Sequence, residues 1–249
     1  MKMETEAKVL DDKLKIIEGL HDGIYISTIT ALVTLNKRVN LNTVQSGIKL
    51  DNSQLFIKDV IGHIKLKENN NFHNSLLLRI GKQTIKIFTN GNLHITGYKK
   101  ANDIIYISNV ICVLLEICNG GSGLETIYKM EKLKIELVNV CFKMDIDDNE
   151  KVSLKDYHRN LKKYTNYYTS YDADHYAGVI LKTPDYTVLT FESGQIIISV
   201  KDNIEIIVEA YGTIMEFINS KKDNFITIKS ICSSKRKGDF DYNDYRILR

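Results

Sequence analysis

Thr84-Ile-Lys-Ile-Phe-Thr-Asn-Gly-Asn-Leu-His-Ile-Thr96 and Thr187-Val-Leu-Thr-Phe-Glu-Ser-Gly-Gln-Ile-Ile-Ile-Ser199 carry one pattern twice. An offset of 103 residues separates Phe88 from Phe191 and Gly91 from Gly194. Each stretch is a pair of short β-rich runs around a Gly, and predicts a β-hairpin whose Gly supplies the positive φ of the turn. Side chains alternate across a strand. If Ile85 and Ile87 face a core, Lys86 and Phe88 face away from it, and the same parity sends Leu189 and Phe191 to that side.

The match extends outward in both directions, and an internal repeat governs the fold. After each hairpin comes an apolar-rich stretch of helical period, Lys100 to Ile117 and Asp202 to Ile218, with Asn102 and Asp202 as expected N-caps. Before each hairpin come a β-type run (Tyr25 to Leu35; Leu133 to Ile146) and a polar helical stretch (Asn40 to Lys49; Val152 to Lys163). The chain therefore divides into an N-terminal extension (1–23), a first repeat (24–120), a linker (121–132), a second repeat (133–222) and a C-terminal extension (223–249). Asn119-Gly-Gly-Ser-Gly123 ends the first helix and opens the linker. Two such units predict an α+β fold, pseudo-symmetric, with helices on one face of an antiparallel sheet and the other face open.

Composition narrows the function. The 249 residues hold 34 Lys+Arg against 31 Asp+Glu, a formal charge of +3. A hydrophobic share of 43% excludes a disordered tail. So small a net charge serves nucleic acid only if it is sorted onto one face. No uninterrupted run of 18 apolar residues occurs, so no membrane span is expected. Met1 to Asp12 is charged and lacks the apolar core of a secretory leader. Cys112, Cys118, Cys141 and Cys232 show no C-x-x-C spacing and read as thiols rather than disulfides or zinc ligands. Asp145, Asp147, Asp148 and Glu150 lack the spacing of a calcium loop. Without a phosphate loop, H-x-x-x-H or nucleophile elbow, the reading is not an enzyme, with no cofactor and no metal. The Ile, Asn and Lys bias suits an AT-rich genome such as that of a large DNA virus, and with it a nuclear or viral-factory location.

The motifs resemble the TATA-binding protein family, whose core is a saddle of two such repeats. Ile87-Phe88-Thr89-Asn90-Gly91-Asn92 with Thr96-Gly97-Tyr98-Lys99, and Thr190-Phe191-Glu192-Ser193-Gly194-Gln195 with Ser199-Val200-Lys201, match that family's two signature hairpins. Ser170-Tyr-Asp-Ala-Asp-His-Tyr-Ala-Gly178 is similar to its second stirrup. The resemblance covers roughly residues 24–222 and implies a minor-groove binder that bends DNA by wedging aromatic rings between base steps. By match, the wedges are Phe72 and Phe88 in the first half and Tyr176 and Phe191 in the second. The groove floor would be Thr28, Thr30, Lys86, His94, Thr96, Asn139, Leu189, Ile197 and Ser199. Phosphate contacts would come from Arg79, Lys99, Lys182 and Lys201.

Thr28 stands where the family has a central asparagine, with Leu137 or Asn139 at the second position. Lys86 and His94 replace apolar positions, and Asn92 and Gln195 replace lysines. These departures predict relaxed sequence choice and a shallow salt dependence. The resemblance assigns Asp172 and Asp174 to a transcription factor IIB-like partner, and implies RNA polymerase machinery alongside promoter DNA. The alternative is a protein of the same fold that has lost DNA binding and serves protein interaction. Lys155 to Tyr171 interleaves lysines and tyrosines, and Lys235-Arg-Lys237 in the tail is basic.

Overall fold

The computed structural model describes residues 2–20, 22–50, 64–66, 74–120, 127–201 and 203–229. Numbering elements in chain order, the first quoted run forms strands β4 (Gln83–Phe88) and β5 (Asn92–Tyr98). The second forms β10 (Tyr186–Phe191) and β11 (Gln195–Val200). Gly91 and Gly194 turn both hairpins with φ of +90° and +81°. Strands β1 (Tyr25–Leu35), β2 (Ile64–Leu66), β3 (Ser75–Ile80), β6 (Met130–Lys143), β8 (Tyr168–Ser170) and β9 (Gly178–Lys182) complete one sheet. Among the described residues it has ten strands, ordered β2-β3-β4-β5-β1-β6-β11-β10-β9-β8, every neighbouring pair antiparallel. A pseudo-dyad between β1 and β6 pairs each strand of one half with its counterpart in the other.

Among the described residues the α-helices are α1 (Lys2–Glu18), α2 (Leu41–Leu50), α3 (Ala101–Cys118), α4 (Leu154–Tyr164) and α5 (Ile206–Lys221). The core lies between them and one sheet face. Ile85, Ile87, Leu93, Ile95, Val138, Val140, Val188, Ile196 and Ile198 contribute from the strands, with Ile104, Ile107, Ile111, Ile207, Ile214 and Phe217 from helices. By length and composition α3 is apolar enough to cross a membrane, although Asn102, Asp103, Asn109 and Glu116 interrupt its apolar run. Its apolar stripe is instead buried in this core.

Two terminal elements are built into the fold. Asn102 lies inside the first turn of α3, not at its cap, which is Lys100. The capping group comes from α1: the Asp11 carboxylate accepts Ala101 N at 2.6 Å, Asn102 N at 3.2 Å and Asn102 Nδ2 at 2.7 Å. A carboxylate there satisfies orphan amides and faces the positive end of the helix. Asp202, the other expected cap, lies outside the described residues. Helix α1 also meets the second half, through Lys13 Nζ and Glu205 Oε1 at 2.7 Å. At the other end β12 (Ile226–Ile228) pairs with β7 (Glu150–Val152). Phe225 before it is fully buried, its ring 5.0 Å from Tyr157 and 5.8 Å from Phe217.

Candidate nucleic-acid interface

Strand parity leaves the second sheet face uncovered by the helices. In β4, Thr84, Lys86 and Phe88 are half-buried while Ile85 and Ile87 are sealed. In β10, Thr187, Leu189 and Phe191 alternate with Val188 and Thr190 in the same way. Phe88 and Phe191 therefore stand at equivalent strand ends on the open face, where parity predicts them. Phe72 lies outside the described residues. Tyr176 comes from the stirrup to within 6.0 Å of Phe191, ring centre to ring centre. Gly178 makes that approach possible, since a Cβ there would lie 3.1 Å from Tyr176 Cε1 and 3.2 Å from Phe191 Cδ1.

Register organises the floor into rows of facing residues. One row runs Arg79, Thr84, Thr96, Thr30, Leu137 across β3, β4, β5, β1 and β6. Its counterpart runs Lys182, Thr187, Ser199, Asn139, Thr28 across β9, β10, β11, β6 and β1. Each row has a cation on the strand next to the sheet edge, Arg79 facing Lys65 of β2 and Lys182 facing Tyr168 of β8, and continues with hydroxyls toward the centre. The register pairs Thr28 with Asn139 and Thr30 with Leu137. Thr28 Oγ1 accepts Gly97 N at 3.0 Å, so part of its capacity is used inside the protein. Asn139 is 9% exposed, and its buried Oδ1 has no hydrogen-bond partner among the described residues.

The next rows differ between halves. In the first, Leu77 faces Lys86, Lys86 faces His94 and His94 faces Leu32. In the second, Ile180 faces Leu189, Leu189 faces Ile197, Ile197 faces Cys141 and Cys141 faces Tyr25. The first half is thus cationic where the second is apolar. Glu136 brings the opposite charge, its Oε2 3.6 Å from His94 Nε2. Cys141 and Tyr25 at the centre were not singled out from sequence. Counting two residues on from Asn139 finds Cys141, and its pairing partner is Tyr25. Burial pushes the Cys141 thiol up, against the Ser27 and Tyr25 hydrogen bonds and Lys99, so the thiol stays neutral.

Of the expected phosphate ligands, Arg79 and Lys182 are exposed and occupy equivalent places on β3 and β9. Lys99 Nζ lies 5.5 Å from the centre of the Tyr25 ring, and Lys201 is exposed just past β11. Asp172 and Asp174 are exposed at the stirrup. Asp172 accepts Asp174 N at 3.1 Å and lies 2.8 Å from His175 Nδ1. The Asp174 amide, then His175, hold its carboxyl below the ordinary value.

No protein-family model matches the sequence, and no curated protein matches it. Among solved structures the chain is similar to Methanococcus jannaschii TBP, with a TM-score of 0.54 and 17% identity, over 80% of this chain and 99% of that one. The chain has that fold, a TATA-binding-protein-type saddle. A chain from the crystal structure of A. aeolicus tRNASec in complex with M. kandleri SerRS is similar at a TM-score of 0.29 and 15% identity, over 81% of this chain and 32% of that one. At that score the second likeness carries no argument.

Proposed function

We propose that this chain binds and bends AT-rich promoter duplex through the minor groove and acts in transcription initiation. The observation that carries this reading is the placement of Phe88 and Phe191 at equivalent ends of one open sheet face. An apolar ring entering a base step replaces part of the stacking that kinking removes, a cost of a few kcal/mol per step. Between the rings, the hydroxyls of Thr30, Thr84, Thr96, Thr187 and Ser199 and the amide nitrogen of Asn139 can donate to the A N3 and T O2 acceptors, while Leu189 and Ile197 oppose the guanine amino group by bulk. Arg79 and Lys182, exposed at equivalent places on β3 and β9, would neutralise backbone phosphates. Asp172 and Asp174 offer exposed carboxylates to a basic partner surface, which fits recruitment of a transcription factor IIB-like protein and, with it, RNA polymerase.

The test is fluorescence anisotropy with a bending readout on AT-rich duplex. Wild type is expected to bind and bend. Phe88→Ala with Phe191→Ala is expected to lose most of the bend and at least tenfold in affinity, the equivalent of about 1.4 kcal/mol. Equal bending by the double variant would remove the rings from the wedge role.

A second reading, a protein-interaction module of the same fold, draws on Glu136. A carboxylate 3.6 Å from His94 on this face opposes a phosphate backbone. Absence of wild-type binding at low salt would favour that reading over the first.

A further inference from the structure

The two halves make the same hydrogen bonds behind their hairpins, which fixes which residues correspond. Val39 N donates to Thr89 O at 3.0 Å, and Val152 N to Glu192 O at 2.9 Å. Leu35 N donates to Gly91 O at 3.0 Å, and Met144 N to Gly194 O at 2.9 Å. Arg38 and Lys151, each one residue before the matched valine, therefore occupy equivalent positions beside the turns that follow Phe88 and Phe191.

Their surroundings are opposite. Lys151 Nζ is 2.6 Å from Glu192 Oε1, so its charge is matched within the protein. Thr89 stands at the place of Glu192, and Arg38 pairs with no carboxylate among the described residues. Arg38, Val39, Asn40, Thr89 and Asn90 line an open cavity of about 480 Å³, Val39 being the one apolar residue among the described lining. Asn40 Oδ1 already accepts the first amides of α2, from Asn42 at 3.2 Å and Thr43 at 3.3 Å, and Asn90 Oδ1 accepts Asn92 N at 3.0 Å, so the guanidinium, the Thr89 hydroxyl and the two side-chain amide nitrogens are the donors left to the cavity. A planar fork of donors beside a hydroxyl suits a phosphate diester oxygen.

We infer that Arg38 holds a DNA backbone phosphate next to the Phe88 step, a contact that the Lys151 side lacks. The inference rests on the duplex-binding reading above. It makes engagement directional: the Phe88 end gains a phosphate anchor, and the Phe191 end presents a neutralised pair.

The test is the salt dependence of duplex binding for wild type, Arg38→Gln, Arg38→Lys and Lys151→Gln, with thermal melts as the control for folding. Each phosphate neutralised contributes about 0.9 to the slope of log K against log salt. Arg38→Gln is expected to lower that slope by about one and to weaken binding about five- to tenfold at 0.1 M salt. Arg38→Lys should keep the slope, and Lys151→Gln should leave it unchanged. A wild-type slope in Arg38→Gln, or an equal drop in Lys151→Gln, overturns the assignment while leaving the binding reading intact. A wild type that binds no duplex overturns both.

Discussion

Gly178 and Gly91 show how differently one methyl group weighs at two residues. A Cβ on Gly178 would lie 3.0 Å from Thr190 O, 3.1 Å from Tyr176 Cε1 and 3.2 Å from Phe191 Cδ1. Both rings belong to side chains that can give by a few tenths of an ångström. A Cβ on Gly91 would run into Lys37 O, which is backbone, at a φ of +90°. Gly178→Ala is expected to cost about 1 kcal/mol in urea denaturation, at the low end for overpacking. Gly91→Ala is expected to cost about 2–4 kcal/mol, combining left-handed strain with a clash. Gly178→Ala should also reduce DNA bending, because it moves the Tyr176 and Phe191 rings. Unchanged bending in a folded Gly178→Ala protein would argue that this ring pair does not enter the duplex.

At the scale of elements, the hairpins were legible because two independent signals agree on them: the period of two and a second copy at a fixed offset. Parity alone placed Lys86, Phe88, Leu189 and Phe191 on the open face. The cap of α3 was not legible, because Asp11 and Ala101 lie 90 residues apart in the chain. Local rules pointed to Asn102, the nearest side chain of the right type, and a carboxylate folded in from another helix leaves no local mark. The pairing of β12 with β7 was hidden for the same reason, as was Glu136 beside His94, which depends on the register of β6 around its bulges. The Asp11 contact has a measurable worth. Asp11→Ala removes the acceptor for two backbone amides and the Asn102 side chain, and should cost about 1–2 kcal/mol, the upper range for a cap. Urea denaturation checks it, and duplex binding by the folded fraction should be unaltered, since α1 lies on the opposite face from the interface. A cost below about 0.3 kcal/mol would mean that Asn102 or water takes over the cap.

Across the whole molecule, a total of +3 conceals a separation. Lys37 and Arg38 stand beside the Gly91 turn of the first half, with Lys86 further along β4. At the matching end of the second stand Asp145, Asp147, Asp148, Glu150 and Glu192, where Lys222 and Lys229 bond the carbonyls of Asp145 and Asp148. The fold tolerates these lopsided ends because its stability comes from a shared core, and that core contains titratable groups held neutral. Burial pushes Tyr157 and Tyr98 up to about 12 and Cys112 up to about 11, from ordinary values of 10.0 and 9.0. Burial also raises Tyr25, Tyr128, Tyr186 and Tyr211. Each is an acid that binds its proton more tightly folded than unfolded. Stability is therefore complete below the unfolded-chain values and is lost as pH climbs through the folded ones. Urea midpoints should stay level from pH 7 to about 9 and fall steadily from there toward pH 12. Tyr157→Phe separates the causes. Its hydroxyl accepts Thr190 Oγ1 at 3.1 Å, so the variant should lose about 1 kcal/mol at neutral pH yet fall less steeply above pH 10. A Tyr157→Phe protein whose alkaline fall matches wild type would place the loss in the other buried phenols and the Cys112 thiol.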